Sequence, residues 1–255
     1  MSAAIIRADN PGPMTLEGTN TILVGDPARG PVVVIDPGPD DDRHLRRVLT
    51  AAGAIAAIVI THRHLDHTAG AAALAALAGC DVLAADPAVR IGDRGLADGD
   101  RLSVAGAELR LVATPGHTSD SYSILITGDD GSARLATGDM VLGRGTTVIM
   151  HPDGDVGSYL ASLEIMIALV RDHRVTEILP GHGPVVTDPA GVLAYYRQHR
   201  LERLDQVRVA LAGGARTPAE VVDAVYTDID AAVRPAAELS VAAQLAYLDR
   251  DSRRG

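Results

Sequence analysis

The stretch Thr61-His62-Arg63-His64-Leu65-Asp66-His67 decides the fold. An apolar run, Ile55-Ala-Ala-Ile-Val-Ile60, precedes it, and an alanine-rich helical pattern from Thr68 to Ala78, closed by Gly79, follows it. Three imidazoles and a carboxylate are thereby expected in a turn between a buried strand and a helix. These are the ligand types that divalent zinc takes where thiolates are absent. Of the nine histidines in the chain, three fall within these few positions, which argues against chance crowding on a polar loop. Leu65 and Arg63 read as spacers, the first free to enter the core and the second to meet solvent.

Three further positions repeat the pattern of a ligand type just past an apolar run. His117, in Thr114-Pro-Gly-His-Thr118, follows the run Leu109 to Val112. Asp139, in Thr137-Gly-Asp139, follows Ala133 to Ala136, and His182, in Pro180-Gly-His-Gly183, follows Val175 to Leu179. A glycine precedes each of the three and lets backbone approach closely. If those ends meet at one edge of a sandwich, five histidines and two aspartates converge. That is too many ligands for one tetrahedral zinc and about right for two, with Asp139 as the natural bridge. Two metals roughly 3.5–4 Å apart make a bridging hydroxide available near neutral pH. Such a site needs no Ser or Cys nucleophile, and the chain offers no GxSxG elbow.

The bulk numbers fit one large domain, or a large domain with a small appendage, in 255 residues. The core must be packed with Val, Ile, Leu and Ala, because Phe and Trp are absent and the six Tyr are the only other aromatics. All 23 basic residues are Arg. The net charge of −10 argues against a broad non-specific grip on nucleic acid. Cys80 is the single cysteine, so no intrachain disulfide forms; it is expected as a buried, inert thiol in a reducing compartment. Neither a secretory h-region nor a membrane-length apolar run is present, and the expected location is cytoplasmic, with no membrane partner.

Short strands are expected at Thr21 to Val24, Val32 to Ile35, Asp81 to Ala85, Leu102 to Val104 and Tyr122 to Ile126, besides the four named above. Gly128-Asp-Asp-Gly131 signals a hairpin. Asp40, Asp41 and Asp42 open a helix on which His44 is expected to be solvated. Ser158 to Arg171 is an amphipathic helix that includes Met166 in its packing face. His151, His173 and His199 read as surface groups. Two clusters of strands separated by helices predict an α/β sandwich of two sheets with helices outside, in four layers. This domain is expected over residues 1–192. From Leu193 the chain turns helical, with Thr217-Pro-Ala-Glu220 as a capping box. Residues 193–255 thus form a small three-helix domain. Residues 200–255 hold eight Arg against nine acids, which favours packing or homo-oligomer formation over reading a DNA groove.

His62-Arg-His-Leu-Asp-His67, His117, Asp139 and His182, in this order, resemble the metallo-β-lactamase superfamily, which implies the αββα sandwich. The resemblance implies that His62, His64 and His117 bind one Zn2+, and that Asp66, His67 and His182 bind a second, with Asp139 bridging. Mn2+ or Fe are alternatives. Asp36 matches the acid that steadies the metal loops. The segments Pro11 to Thr21, Pro115 to Ser121, Gly138 to Val148 and Ile178 to Pro184 narrow the resemblance to the family of β-lactamase-like protein 2, and the helical end is similar to its winged-helix-like domain.

The best-known member of that family cleaves single-stranded RNA, so a dinuclear phosphodiesterase is one expectation, with Asp66 and Asp139 catalytic. A hydrolase of a small-molecule thioester, lactone or β-lactam is the alternative, favoured by the charge and by the lack of aromatic stacking platforms. A non-catalytic nucleic-acid-associated module is the third. Asn20 and Arg144 are candidate substrate contacts. Two branches fit less well: only 42 residues separate Asp139 from His182, too few for a nuclease cap domain, and His64 stands where flavodiiron reductases prefer an acid. A mononuclear iron dioxygenase shares the histidine motif.

Overall fold

The alternation in Val32-Val33-Val34-Ile35 already divides the molecule into layers. In the computed structural model, which describes residues 3–226, 231 and 233–252, Val33 and Ile35 face a second sheet while Val32 and Val34 face helices. The first sheet runs in the order β1 (Ala3–Arg7), β2 (Asn20–Val24), β3 (Val32–Ile35), β4 (Ile55–Val59), β5 (Asp81–Leu83). Its pairs are antiparallel from β1 to β3 and parallel from β3 to β5. The second sheet comprises β6 (Arg101–Val104), β7 (Ala107–Ala113), β8 (Tyr122–Gly128), β9 (Ala133–Gly138) and β10 (Glu177–Pro180), antiparallel except for the parallel β9–β10 pair. Strand β1 was not among the expected elements; as a half-buried edge it lacks the apolar run that marks the others.

Three apolar layers follow from this alternation. Ile22, Val33, Ile35 and Val59 meet Leu109, Leu111, Ile124 and Ile126 between the sheets. On the outer face of the first sheet lie α1 (Asp42–Ala52), capped by the Asp41 side chain, and α3 (Ala71–Ala78). On the outer face of the second sheet lie α4 (Val156–His173) and the first half of α5 (Pro189–Ala212), through Leu163, Met166, Leu193 and Tyr196. This is the expected αββα order.

Of the helix expected from Thr68 to Ala78, α3 covers Ala71–Ala78, while Thr68 ends a separate helical turn, α2 (Leu65–Thr68), inside the stretch expected as a turn. The break falls at Gly70, where a Cβ would stand 2.8 Å from both Pro39 O and Leu45 Cδ2. Leu65 is 77% exposed, not in the core, because the inward positions of the turn are taken by ionisable side chains. His44 also differs from expectation: it is 2% exposed, with its Nε2 2.9 Å from Thr21 Oγ1. Its spacing from Val48 and Ala52 puts it on the buried face of α1.

The helical end consists of α5, α6 (Pro218–Val225) and α7 (Arg234–Ser252), joined through Val207, Val221, Val222 and Val241. The capping box is present, with Thr217 Oγ1 accepting from Glu220 N and the Glu220 carboxylate accepting from Thr217 N. The 192/193 boundary falls in the first turn of α5, and α7 packs back on the sandwich through Ala243 and Tyr247. The last residues of the expected second domain, 253–255, lie outside the described residues. No helix among the described residues is long and apolar enough to cross a membrane.

Candidate metal centre

Strand ends deliver the ligand-type side chains to one edge of the sandwich. His62 and His64 follow β4, Asp66 and His67 stand on α2, His117 lies in the β7–β8 loop, Asp139 follows β9, and His182 follows β10. The ligand atoms of His62, His64, His117 and Asp139 all lie within 4.8 Å of one another, and so do those of Asp66, His67 and His182. The two groups meet at Asp139. Its Oδ2 is 4.0 Å from His62 Nε2, 3.8 Å from His117 Nε2 and 3.4 Å from His182 Nε2, and its Oδ1 is 3.4 Å from His67 Nε2.

Which ring nitrogen faces the centre is fixed from behind by obligate acceptors. His117 Nδ1 donates to Val148 O at 2.8 Å and His182 Nδ1 donates to Gly18 O at 3.3 Å. His67 Nδ1 donates to Asp36 Oδ2 at 2.8 Å. Thr61 Oγ1 donates its only proton to Asp36 Oδ2 at 2.6 Å, so the 3.0 Å contact with His62 Nδ1 is a bond that the imidazole donates. In each ring the Nε2 is left pointing inward. His64 alone presents Nδ1, which is 3.1 Å from both His62 Nε2 and His117 Nε2.

Three such nitrogens crowded on one point do not satisfy one another by hydrogen bonding, but they do match a cation. A tetrahedral site with metal–nitrogen bonds of about 2.0–2.1 Å has edges of about 3.3 Å. The second group has similar edges: 3.2 Å between His67 and His182, and 3.0 Å from His182 Nε2 to Asp66 Oδ2. Asp139 Oδ1 is buried and makes no well-formed hydrogen bond, only the 3.4 Å approach of His67 Nε2, which leaves it free to take a cation. The donor set fits a divalent metal. Gly181 permits the packing, since a Cβ there would stand 2.5 Å from Asp139 Oδ1 and 2.7 Å from His67 Cε1.

Asp36 holds the arrangement together. Its backbone has φ +51°, which costs about 1–3 kcal/mol for a residue with a side chain. The buried carboxylate accepts from Thr61 N at 2.8 Å, from Thr61 Oγ1 and from His67 Nδ1. Each such bond to a charged group contributes about 1.5–3 kcal/mol, so the strain is offset.

Charge divides the centre in two. Burial lowers His62 well below the usual histidine range, lowers His64, and takes His117 to about 4. For His67, burial acts in the same direction but is outweighed by Asp139 and Asp36, which raise it well above that range. His182 is raised to about 9 because its bonds to Asp139 and Asp66 outweigh its burial. Burial would raise Asp139, yet His67 and His182 hold it well below the carboxylate range.

The two residues expected to touch substrate part company. Asn20 is buried, and its amide nitrogen donates to Pro180 O at 3.0 Å and Gly183 O at 2.8 Å. With both N–H groups used, it positions the His182 loop and has no proton to offer an oxyanion. Arg144 does reach the pocket above the centre, paired with Glu17 at 2.7 Å. Sequence reasoning missed Thr61, Arg63, Thr147 and Val148. Arg63 pins the histidine turn to Asp120 at 3.1 Å and Ser119 Oγ at 3.1 Å, instead of simply meeting solvent. Thr61, directly before the motif, was within local reach; Val148 lies 31 positions from His117 and carries no local signal.

The sandwich and its histidine–aspartate cluster define a hydrolase scaffold with a candidate metal site. A model of the metallo-beta-lactamase superfamily matches residues 14–182, and one of the beta-lactamase associated winged helix domain matches residues 217–253. The chain belongs to the metallo-beta-lactamase superfamily. It is 34% identical over 266 residues to a beta-lactamase-like protein 2 homolog of Caenorhabditis elegans, covering 98% of this chain and 86% of the relative. It is 36% identical over 242 residues to an atrochrysone carboxyl ACP thioesterase of Aspergillus chevalieri, covering 87% of this chain and 72% of that protein. A solved beta-lactamase domain protein from Burkholderia ambifaria superposes with a TM-score of 0.80 at 21% identity, covering 98% of this chain and 86% of that one.

Proposed function

We propose that the chain is a two-zinc hydrolase that cleaves a thioester with an apolar acyl group. The observation that carries the substrate class is the pocket over the centre, about 420 Å³, walled by Met14, Leu16, Leu65, Leu142, Val148 and Met150. Arg144 is its one cation and is already paired. Such a wall suits an acyl chain and offers a polyanion little. The thioesterase named above supports the same chemistry.

Two divalent cations held by the seven ligands would supply an acidified water and polarise the substrate carbonyl. His62, His64 and His117 would hold one cation and Asp66, His67 and His182 the other, with Asp139 available to both. Water adds to the acyl carbon, the carbon–sulfur bond breaks, and a carboxylic acid and a thiol leave. The chain itself orients this reaction. Val148 offers its carbonyl to His117 and lines the acyl pocket, so one residue sets both ligand and substrate. Asp66, 28% exposed and next to the pocket, is the group placed to carry the proton to the departing sulfur.

The test is a panel of acyl thioesters, single-stranded RNA, a lactone and a chromogenic β-lactam, assayed with zinc and with manganese. The proposal expects thioester cleavage to exceed the rest, and to be abolished by a chelator. RNA cleavage without thioester cleavage would replace it with the phosphodiesterase.

A further inference from the structure

Helix α5 carries His199, Arg200 and Arg203 toward a second pocket of about 250 Å³, closed on its other sides by α7, Tyr226 and the strip Thr146–Val148. Among the described residues no carboxylate lines it. Arg200 is only 5% exposed. One of its terminal nitrogens donates to Thr147 O, its Cζ lies 5.0 Å from the Tyr159 ring centroid, and its Nε is buried without a partner. Arg203 sits 4.4 Å over the Tyr226 ring and donates to the neutral Gln206 amide. His199 Nδ1 is likewise buried and unpartnered, so His199 is no surface group. The nearby Glu202 is engaged by Gln198.

Among the described residues no carboxylate pairs with Arg200 or Arg203. Arg43 and Arg134, by contrast, hold acids at 2.6 and 2.7 Å, as expected in a chain with 33 acids and 23 arginines. A buried guanidinium without counter-charge is costly unless an anion supplies it. Guanidinium forks match phosphate geometry. The pocket shares Pro13, Met14 and Thr146–Val148 with the pocket over the metal centre, so the two adjoin across one strip of chain. A single cationic cluster beside an apolar cleft fits one phosphate on a flexible arm. A strand of RNA would need a track of cations and stacking partners.

We propose that His199, Arg200 and Arg203 bind the phosphate ester on the thiol side of the substrate, so that the substrate is an acyl thioester of phosphopantetheine. This rests on the thioester reading. A coenzyme-A thioester and an acyl carrier protein both present that arm.

Calorimetric titration of the full chain with 4′-phosphopantetheine and with pantetheine tests the subsite without turnover. The phosphorylated arm binds at least about tenfold tighter, and Arg203→Gln removes the preference while Arg203→Lys retains part of it. In turnover, Arg203→Gln lowers the ratio of kcat/KM for acyl-phosphopantetheine over acyl-pantetheine to about one. Acyl-coenzyme A and acyl carrier protein, assayed side by side, show which source of the arm is preferred. Equal binding of the two arms overturns the subsite, as does a phosphate preference that survives in Arg203→Gln. Hydrolysis of both thioesters at equal rates leaves the thioester reading standing and the subsite refuted. Phosphate-selective binding with no hydrolysis of any thioester refutes the reaction instead.

Discussion

His62, His64 and His117 on one side of Asp139, and His67 and His182 on the other, are the same residue type in opposite electrostatic states. The first three are held neutral by burial, their inward nitrogens bare. The other two are raised by Asp36, Asp66 and Asp139, which favour their charged forms. One half is thus a ready lone-pair cage. The other is a network of ion pairs that a cation must deprotonate before it binds. What separates them is not the histidines but the carboxylates: Asp36 and Asp66 pair with His67 and His182, and Asp139 lies 3.4 Å from those two against 3.8 and 4.0 Å from His117 and His62.

Asp66→Ala strikes the charged half and should have the largest effect, reducing hydrolysis on the order of a thousandfold with the fold intact. Steady-state rates with a thermal melt check it; retention of a tenth of the activity would show that one cation suffices. Next is Asp36→Asn, which removes the acceptor shared by Thr61 and His67. It should weaken metal binding about 10- to 100-fold. Competition with a chromogenic chelator measures this, and a loss confined to one of the two sites sharpens the contrast between the halves.

The pH dependence follows with its sign. His182 has a pKa raised from about 6.5 when unfolded to about 9 when folded. Its contribution is fully present below the unfolded value and is lost as pH rises through the folded one. Chelated protein should therefore lose stability between about pH 6.5 and 9, and zinc should abolish the slope. Denaturant melts across that range test it; a flat metal-free profile would mean that the two halves are not charged differently. Thr217→Ala, in the capping box of α6, is the smallest expected effect. It should cost about 1 kcal/mol and leave metal content unchanged.

Much of this was legible from residues alone. Val32–Ile35 read as a strand, the acids Asp40 to Asp42 marked a helix start, and Thr217-Pro-Ala-Glu220 marked another through a capping box that needs only local chain. The ligand positions were legible because each follows a strand end and the fold collects such ends. The rest depended on partners distant in sequence. Asn20 read as a candidate substrate contact, because the carbonyls of Pro180 and Gly183 that take up its amide lie 160 or more residues away. His44 read as solvated because its burial depends on Thr21 of a neighbouring strand. Arg200 and Arg203 carry no local signal, and only the packing of α7 and Tyr226 around them shows that no carboxylate of the described residues pairs with them.

The most direct measurement is metal per chain in purified protein, by mass spectrometry of the elements, for the natural chain and for Asp66→Ala. The account predicts two zinc ions falling to one, retained by His62, His64 and His117. A single iron per chain, or a content unchanged by the substitution, would contradict it.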